Sequence, residues 1–471
     1  MKLKSLESGE GRQSVDRSVR AIKQLIWIYL WLLVFEGALR KWLFPAISDY
    51  LLIIRDPIVC IIYIRAYKLG VFHKSALAAV TAWMGAVALA YGIALDFAAS
   101  PTLVDFGILI YGVRTFFLYF PLIIVMSRVL SQGDIIKIGR WMLLSSIPIA
   151  VLMTIQFMAP DTSFVNRTTT GEGMLLEAAE GVVRPPGPFT FILGPATYYP
   201  LVIAFILFSI FQAKVYPTWL IVSASVATLL VQPISGSRTL VIGSMIVLVA
   251  AVVSVRFYPR KLPGVFGLAI VATGIAVAVL FTPVGRRSVQ SFAERWTTAT
   301  ESDGLGNGAA AAISNRVGLG LTEVFSDLGD IPPLGVGIGM GTNIGAKLKL
   351  GELGFFYGEN EWTRIVFESG WLLGFSYIAL RIWWALTILI RSFRELTRGN
   401  LLPWLFASAV FLDLLYGQTS QPSVLGITVF GAGLCLASVE NRNAMRNMVE
   451  RHVEKPNRQY RDFSPKEEVA P

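Results

Sequence analysis

Apolar residues in this chain run in long blocks separated by short polar turns. Blocks of about 20 residues match the length at which a helix crosses the hydrocarbon core of a bilayer. They fall near residues 25–40, 51–64, 76–95, 104–126, 139–158, 191–212, 217–234, 239–256, 264–282, 362–390, 401–416 and 423–439. The pattern predicts an all-α polytopic membrane protein with about twelve transmembrane helices. Two polar stretches interrupt it, at 159–190 and 283–361, and the second is much the largest loop. Within it Val317, Leu321, Val324, Phe325 and Leu328 recur at three- and four-residue spacing, which predicts an amphipathic helix able to lie on the membrane interface. Ser314 is placed to cap that helix and Pro332-Pro333 to end it.

Composition supports the membrane reading and charge orients it. With 54% hydrophobic residues, 15% charged residues and a mean hydropathy of +0.60, the chain has more apolar side chain than a soluble core uses. Lysine and arginine gather in the tail at 1–24, in the turns near 65–75, 127–140, 214, 256–261 and 391–398, and in the tail at 441–471. The short loops at 96–103 and 417–422 carry none. Positive flanks stay inside, so both termini are expected in the cytoplasm and the loops at 159–190 and 283–361 outside it.

The first 24 residues are polar and basic and lack a small-residue cleavage site, so the first apolar helix is expected to remain as an anchor. The net charge of +10 is scattered through membrane-flanking turns rather than set on one face, which argues against a nucleic-acid partner. The C-terminal tail reads as disordered, lying near anionic lipid headgroups or docking a partner. Cys60 and Cys435 both fall in predicted spans and support neither a disulfide framework nor a metal site.

The residues that can carry chemistry lie mostly toward the outside. Glu36 and Arg40 are four apart, on one helical face, and read as an internal ion pair bracing the first two helices or as a direct participant. Arg114 lies inside the fourth span; it either meets a phosphate or carboxylate of a ligand or pairs with another span charge such as Asp413. Arg184 precedes Pro185-Pro186, whose fixed backbone can hold a guanidinium near the membrane surface. Arg238 follows a Ser-Gly-Ser turn at the mouth of the eighth span, where its fork of donors suits a phosphate and where snorkelling is the plainer explanation.

Arg316 sits in the first turn of the predicted amphipathic helix, opposed by the helix dipole, so another partner should hold it. Gly335, Gly337, Gly339 and Gly341 follow without the strand that a nucleotide fingerprint requires. Their amides can cradle an anion, or the glycines serve packing against the membrane. Glu359, Asn360, Glu361 and Arg364 stand at the outside end of a long span with Glu368 one turn in, and Glu361 and Glu368 share a face with Arg364 or Asn360. Because His73 and His452 are both expected in the cytoplasm, a base outside would be a carboxylate, and Glu359 is the first candidate.

Taken in order, these features resemble the O-antigen ligase and O-antigen polymerase superfamily of bacterial envelope glycosyltransferases. The resemblance covers residues 190–440. It rests on twelve spans, a large loop between the ninth and tenth, Ser237-Arg238 at the start of the eighth, Arg316 on an amphipathic helix, and the run from Pro333 to Gly337. The family then carries a His-Asn pair, nine residues and a glycine; here Glu359-Asn360 is followed by nine residues and Gly370, with the histidine replaced.

The resemblance implies an undecaprenyl-pyrophosphate-linked glycan donor, a hydroxyl acceptor on a glycan or lipid, and no metal or nucleotide cofactor. It implies that Arg238 and Arg316 hold the leaving pyrophosphate, with Arg184 as a third, while Arg114, Asn360 and Arg364 help bind substrate. Glu359 would take the place of the histidine beside the acceptor hydroxyl, or orient an acceptor sugar. Membrane lipids and polysaccharide-assembly proteins are the implied company. Two other readings stand beside it: a twelve-span transporter of glycans or solutes, and a non-catalytic subunit of an exopolysaccharide machine.

Overall fold

The computed structural model describes residues 9–454 apart from 74, 99–101, 170–182, 213–214, 260–266, 268–273, 275–280, 303–323, 326, 330 and 351–359. Among the described residues the regular structure is helical, without a strand. Eight helices among the described residues are long and apolar enough to cross a membrane. The architecture is that of an all-α, multi-pass membrane protein.

The helices in chain order are α1 (Gly9–Ala38), α2 (Asp56–Lys68), α3 (Ala76–Ala98), α4 (Leu103–Val113), α5 (Phe120–Val129), α6 (Gln132–Met158), α7 (Leu193–Phe211), α8 (Thr218–Ile234) and α9 (Arg238–Val255). After them come α10 (Pro283–Ser302), α11 (Asn343–Leu350), α12 (Glu361–Thr397), α13 (Leu402–Tyr416) and α14 (Pro422–Glu454). The apolar stretch Leu193–Phe211 and its counterpart Pro422–Glu440 are each 89% buried, against 33% for Arg238–Val255. Hence α7 and α14 form the middle of the bundle and α9 lies toward its rim.

Caps rather than hydropathy set the helix ends. The block expected at 139–158 starts at Gln132, because Ser131 and Asp134 form a capping box that satisfies the first amides. The block expected at 51–64 is displaced to α2, which begins at Asp56 after irregular turns and runs to Lys68. That expected at 104–126 is not one α-helix. Arg114–Leu118 forms a π-helical turn between α4 and α5, just ahead of Pro121, which has no N–H to continue the ladder. A second π turn, Leu39–Leu43, ends α1 just ahead of Pro45. The block at 264–282 lies outside the described residues except for its last two positions and two isolated glycines.

Contacts between helix ends sort them into two groups. At one end Lys23 meets Asp134 at 2.6 Å, Arg128 donates to the carbonyls of Val71 and His73, Trp404 donates to Ala250 O, and Asn400 donates to Ser438 O. At the other end Lys41 donates to Gly187 O and Phe189 O, Arg55 to Pro422 O, and Tyr91 to Leu334 O, while Lys347 pairs with Asp49. The first is the basic end, where the lysine- and arginine-rich turns collect. The second, the loop end, gathers the segments at 36–56, 183–189, 331–350 and 413–422.

Candidate functional site

The glycine run and α12 build one unit at the loop end. The sequence predicts a single long helix over 362–390, and the structure breaks it at Gly370, whose φ of 75° and ψ of 175° only glycine adopts readily. The break frees carbonyls and amides, and the run from Pro333 takes them up. Val336 N donates to Phe367 O at 2.9 Å, Gly337 N to Glu368 O at 3.0 Å, and Trp371 N to Pro333 O at 3.0 Å. Contact is close enough that a Cβ on Gly335 would stand 2.4 Å from Gly370 N. Gly339 N then donates to the Glu368 carboxylate at 2.8 Å. The glycine amide therefore cradles an anion, but that anion belongs to the chain itself.

Glu368 is one member of a closed ionic cluster. Arg364 is clamped between Glu361, at 2.8 Å, and Glu368. Glu361 also meets Arg381 at 3.3 Å and accepts from the Thr419 amide at 3.0 Å. Arg381 gives its remaining donors to the carbonyls of Asp413, Leu414 and Gly417, where the exposed carbonyls ending α13 attract a cation. All four charged side chains are buried, and two carboxylates balance two guanidiniums. The helical spacing predicted that Glu361 and Glu368 share a face with Arg364, and they do. Arg364 is expected to bind substrate, yet its guanidinium is taken up inside the fold, because burial makes an unpaired arginine too costly. Asn360 is the N-cap of α12, its side chain accepting from Trp362 N at 3.0 Å.

The segment after Arg184 is held between two helices. Gly187 N donates to Gln156 Oε1 at 2.7 Å, and Gly187 O accepts from Lys41 Nζ at 2.8 Å. These bonds tie the Pro185-Pro186 backbone to α6 and to the end of α1, leaving Arg184 half-buried at the loop end. Arg238 is the first residue of α9, directly after its cap Ser237 and the Gly236 turn at φ 56°. It is also half-buried. Since Ala250 of the same helix is at the basic end, Arg238 is at the loop end, with Arg184.

Arg114 has a partner that sequence spacing did not give. It pairs with Asp56, not Asp413, and also donates to Leu52 O at 3.1 Å and to the Tyr119 hydroxyl at 3.2 Å. Glu36 and Arg40 do meet, at 3.8 Å, and Arg55 joins them at 2.7 Å from Glu36. Arg316 and Glu359 lie outside the described residues, as do Ser314, Val317 and Leu321 of the expected amphipathic helix. Val324 of that pattern is buried, and Phe325 stacks on Phe375 of α12 at 5.8 Å.

One carboxylate emerges that sequence reasoning placed only as a partner for Arg114. Asp413 is half-buried in the last turn of α13, and among the described residues its carboxylate accepts no hydrogen bond and joins no ion pair. The signal available in sequence was an acid in an apolar span, which is rare without a use. Among the described residues no group of three or more His, Cys, Asp or Glu side chains is placed to hold a metal ion. In comparisons with known proteins, no family model matches the chain and no curated protein matches it.

Proposed function

We propose that this protein transfers or polymerises a lipid-linked glycan at the loop end of the bundle, as the O-antigen ligases and polymerases do. The observation that carries the reading is the backbone contact between Pro333–Gly337 and Gly370. The resemblance treats these as parts of one signature, and they are joined by hydrogen bonds across about thirty residues of chain. That contact fixes the loop end of α12, which Asn360 caps, while Arg184 and Arg238 stand at the same end of the bundle. The full complement is twelve spans, with the basic end in the cytoplasm by the rule of positive flanks.

In the proposed reaction an acceptor hydroxyl oxygen attacks the anomeric carbon of the donor glycan. The bond from that carbon to the pyrophosphate oxygen breaks, and the lipid pyrophosphate leaves with the electron pair. Guanidiniums of Arg238 and Arg316, with Arg184 as a third, stabilise charge growing on the leaving oxygens. The hydroxyl proton passes to a carboxylate, Glu359 or the unpartnered Asp413. Arg114, Asn360 and Arg364 act by shaping the site rather than by meeting the donor.

The test is glycan chain length in a host strain carrying Arg238→Ala, Arg316→Ala, Glu359→Gln or Asp413→Asn, with membrane levels matched. The arginine variants should accumulate lipid-linked donor and lose long polymer, and one of the two carboxylate variants should do the same. Normal glycan from all four would remove the reading and favour a transporter.

A further inference from the structure

The loop end holds two buried ionic clusters, and only one of them balances. Around Arg364, two carboxylates meet two guanidiniums. Around Tyr119, three buried guanidiniums, Arg40, Arg55 and Arg114, share two carboxylates, Glu36 and Asp56. Arg55 and Arg114 both lie against the Tyr119 ring, at 5.9 and 5.5 Å from its centre. Like charges held this close and this dry repel unless an anion lies between them.

Arg55 adds a second, independent sign. It is 1% exposed, it spends Nη2 on Pro422 O, and its Nη1 is buried without any hydrogen-bond acceptor. A buried guanidinium nitrogen left unmatched is costly. The local backbone is also unusual here, since both π turns of the protein's described residues feed this cluster, one carrying Arg40 and the other Arg114. Such turns widen a helix and re-aim its side chains, and they recur at functional sites.

We propose that the cluster of Arg40, Arg55 and Arg114 is an anion site for the phosphate or pyrophosphate headgroup of a second lipid, separate from Arg184 and Arg238. The side toward Asp56 is its entrance. The Asp56 side chain is 18% exposed, and Ile53 before it and Ile61 and Ile64 further along α2 are exposed apolar residues against which a lipid tail can lie. Arg114 and Arg55 reach the headgroup from the Tyr119 side and Arg40 from the Glu36 side.

The anion site stands on the charge imbalance and on the unmatched Arg55 Nη1. Its meaning rests on the function proposed above: a second lipid phosphate bound beside the donor would belong to an acceptor that is itself lipid-linked.

The experiment uses the full-length protein in zwitterionic phosphatidylcholine nanodiscs, with farnesyl pyrophosphate as probe and inorganic pyrophosphate as competitor. Wild type should bind two equivalents of the probe. Arg55→Gln should lose one of them or weaken it about tenfold or more, as expected for removal of a charge-assisted contact, and Arg238→Ala should lose the other. Glu36→Gln removes a competing carboxylate, so it should tighten the Arg55-dependent site and enlarge the probe's stabilisation against heating.

If Arg55→Gln folds and binds as wild type does, the cluster is structural and the proposal fails. If that variant does not fold, Glu36→Gln decides: unchanged or weaker binding overturns the proposal. Equal displacement by inorganic pyrophosphate would make the ligand a free anion and remove the lipid. Loss through Arg55 with no effect of Arg238→Ala would keep this site and overturn the role given to Arg238.

Discussion

Gly370→Ala perturbs the joint on which the site is built. A Cβ there would stand 2.5 Å from Pro333 O and 2.7 Å from Leu334 C, both backbone atoms that have no side-chain torsion to relieve them. The native φ of 75° with ψ of 175° is also a glycine conformation, costing another residue about 1–3 kcal/mol. Relief means lifting the 333–337 run away and losing three backbone hydrogen bonds of about 1 kcal/mol each. Alanine in addition favours a straight helix over glycine by about 1 kcal/mol. Strain and propensity together should shift the balance from the docked loop toward a straight α12 by about 2–4 kcal/mol, and the Cβ clash adds to that shift.

Hydrogen exchange followed by mass spectrometry reads this locally. Peptides covering 333–341 and 367–371 should exchange at least about a hundredfold faster, since each 1.4 kcal/mol is a factor of ten. Gly107→Ala is the control: a Cβ there meets nothing within 4 Å, and exchange should stay as in wild type. Unchanged protection in Gly370→Ala would mean that the loop is not held by the helix break.

Arg364→Met should destabilise the fold by about 3–5 kcal/mol in thermal or denaturant unfolding, because it strands two buried carboxylates. The triple variant Glu361→Gln/Arg364→Met/Glu368→Gln should recover part of that loss; no recovery would show that the carboxylates hold something besides Arg364. Gln156→Ala leaves the Gly187 amide without its acceptor and should cost about 1–3 kcal/mol, together with slower glycan transfer through the displaced Arg184 segment. A stable, fully active variant would show that the segment is held elsewhere. Phosphatase fusions should be active when joined at residue 420 of the loop end and inactive at residue 399 of the basic end; the reverse would invert the orientation.

What sequence gives reliably here is whatever depends on near neighbours. Apolar blocks at 76–95 and 217–234 become α3 and α8 almost residue for residue, because length and hydropathy act locally. The Glu361, Arg364 and Glu368 spacing is legible for the same reason. What escapes is pairing between helices: Arg114 finds Asp56, 58 residues away, and no periodicity announces it. The π turns escape too, since Pro45 and Pro121 mark only a disturbance and not its form. The glycine run was legible as an anion cradle by its backbone chemistry, yet only tertiary packing brings the Glu368 carboxylate into it. The end of the bundle on which the arginines collect follows from counting spans, whereas whether each is occupied or open follows from packing. Arg364, buried between Glu361 and Glu368, is such a case.

Turnover by the purified protein tests the central claim most directly. The full-length chain would be reconstituted with an undecaprenyl-pyrophosphate-linked glycan and a hydroxyl acceptor, and the release of undecaprenyl pyrophosphate followed alongside glycan length. The account predicts release coupled to glycan transfer by wild type, and loss of both in Arg238→Ala with the fold intact. Movement of the intact lipid-linked glycan across the bilayer, with no pyrophosphate released, would contradict it.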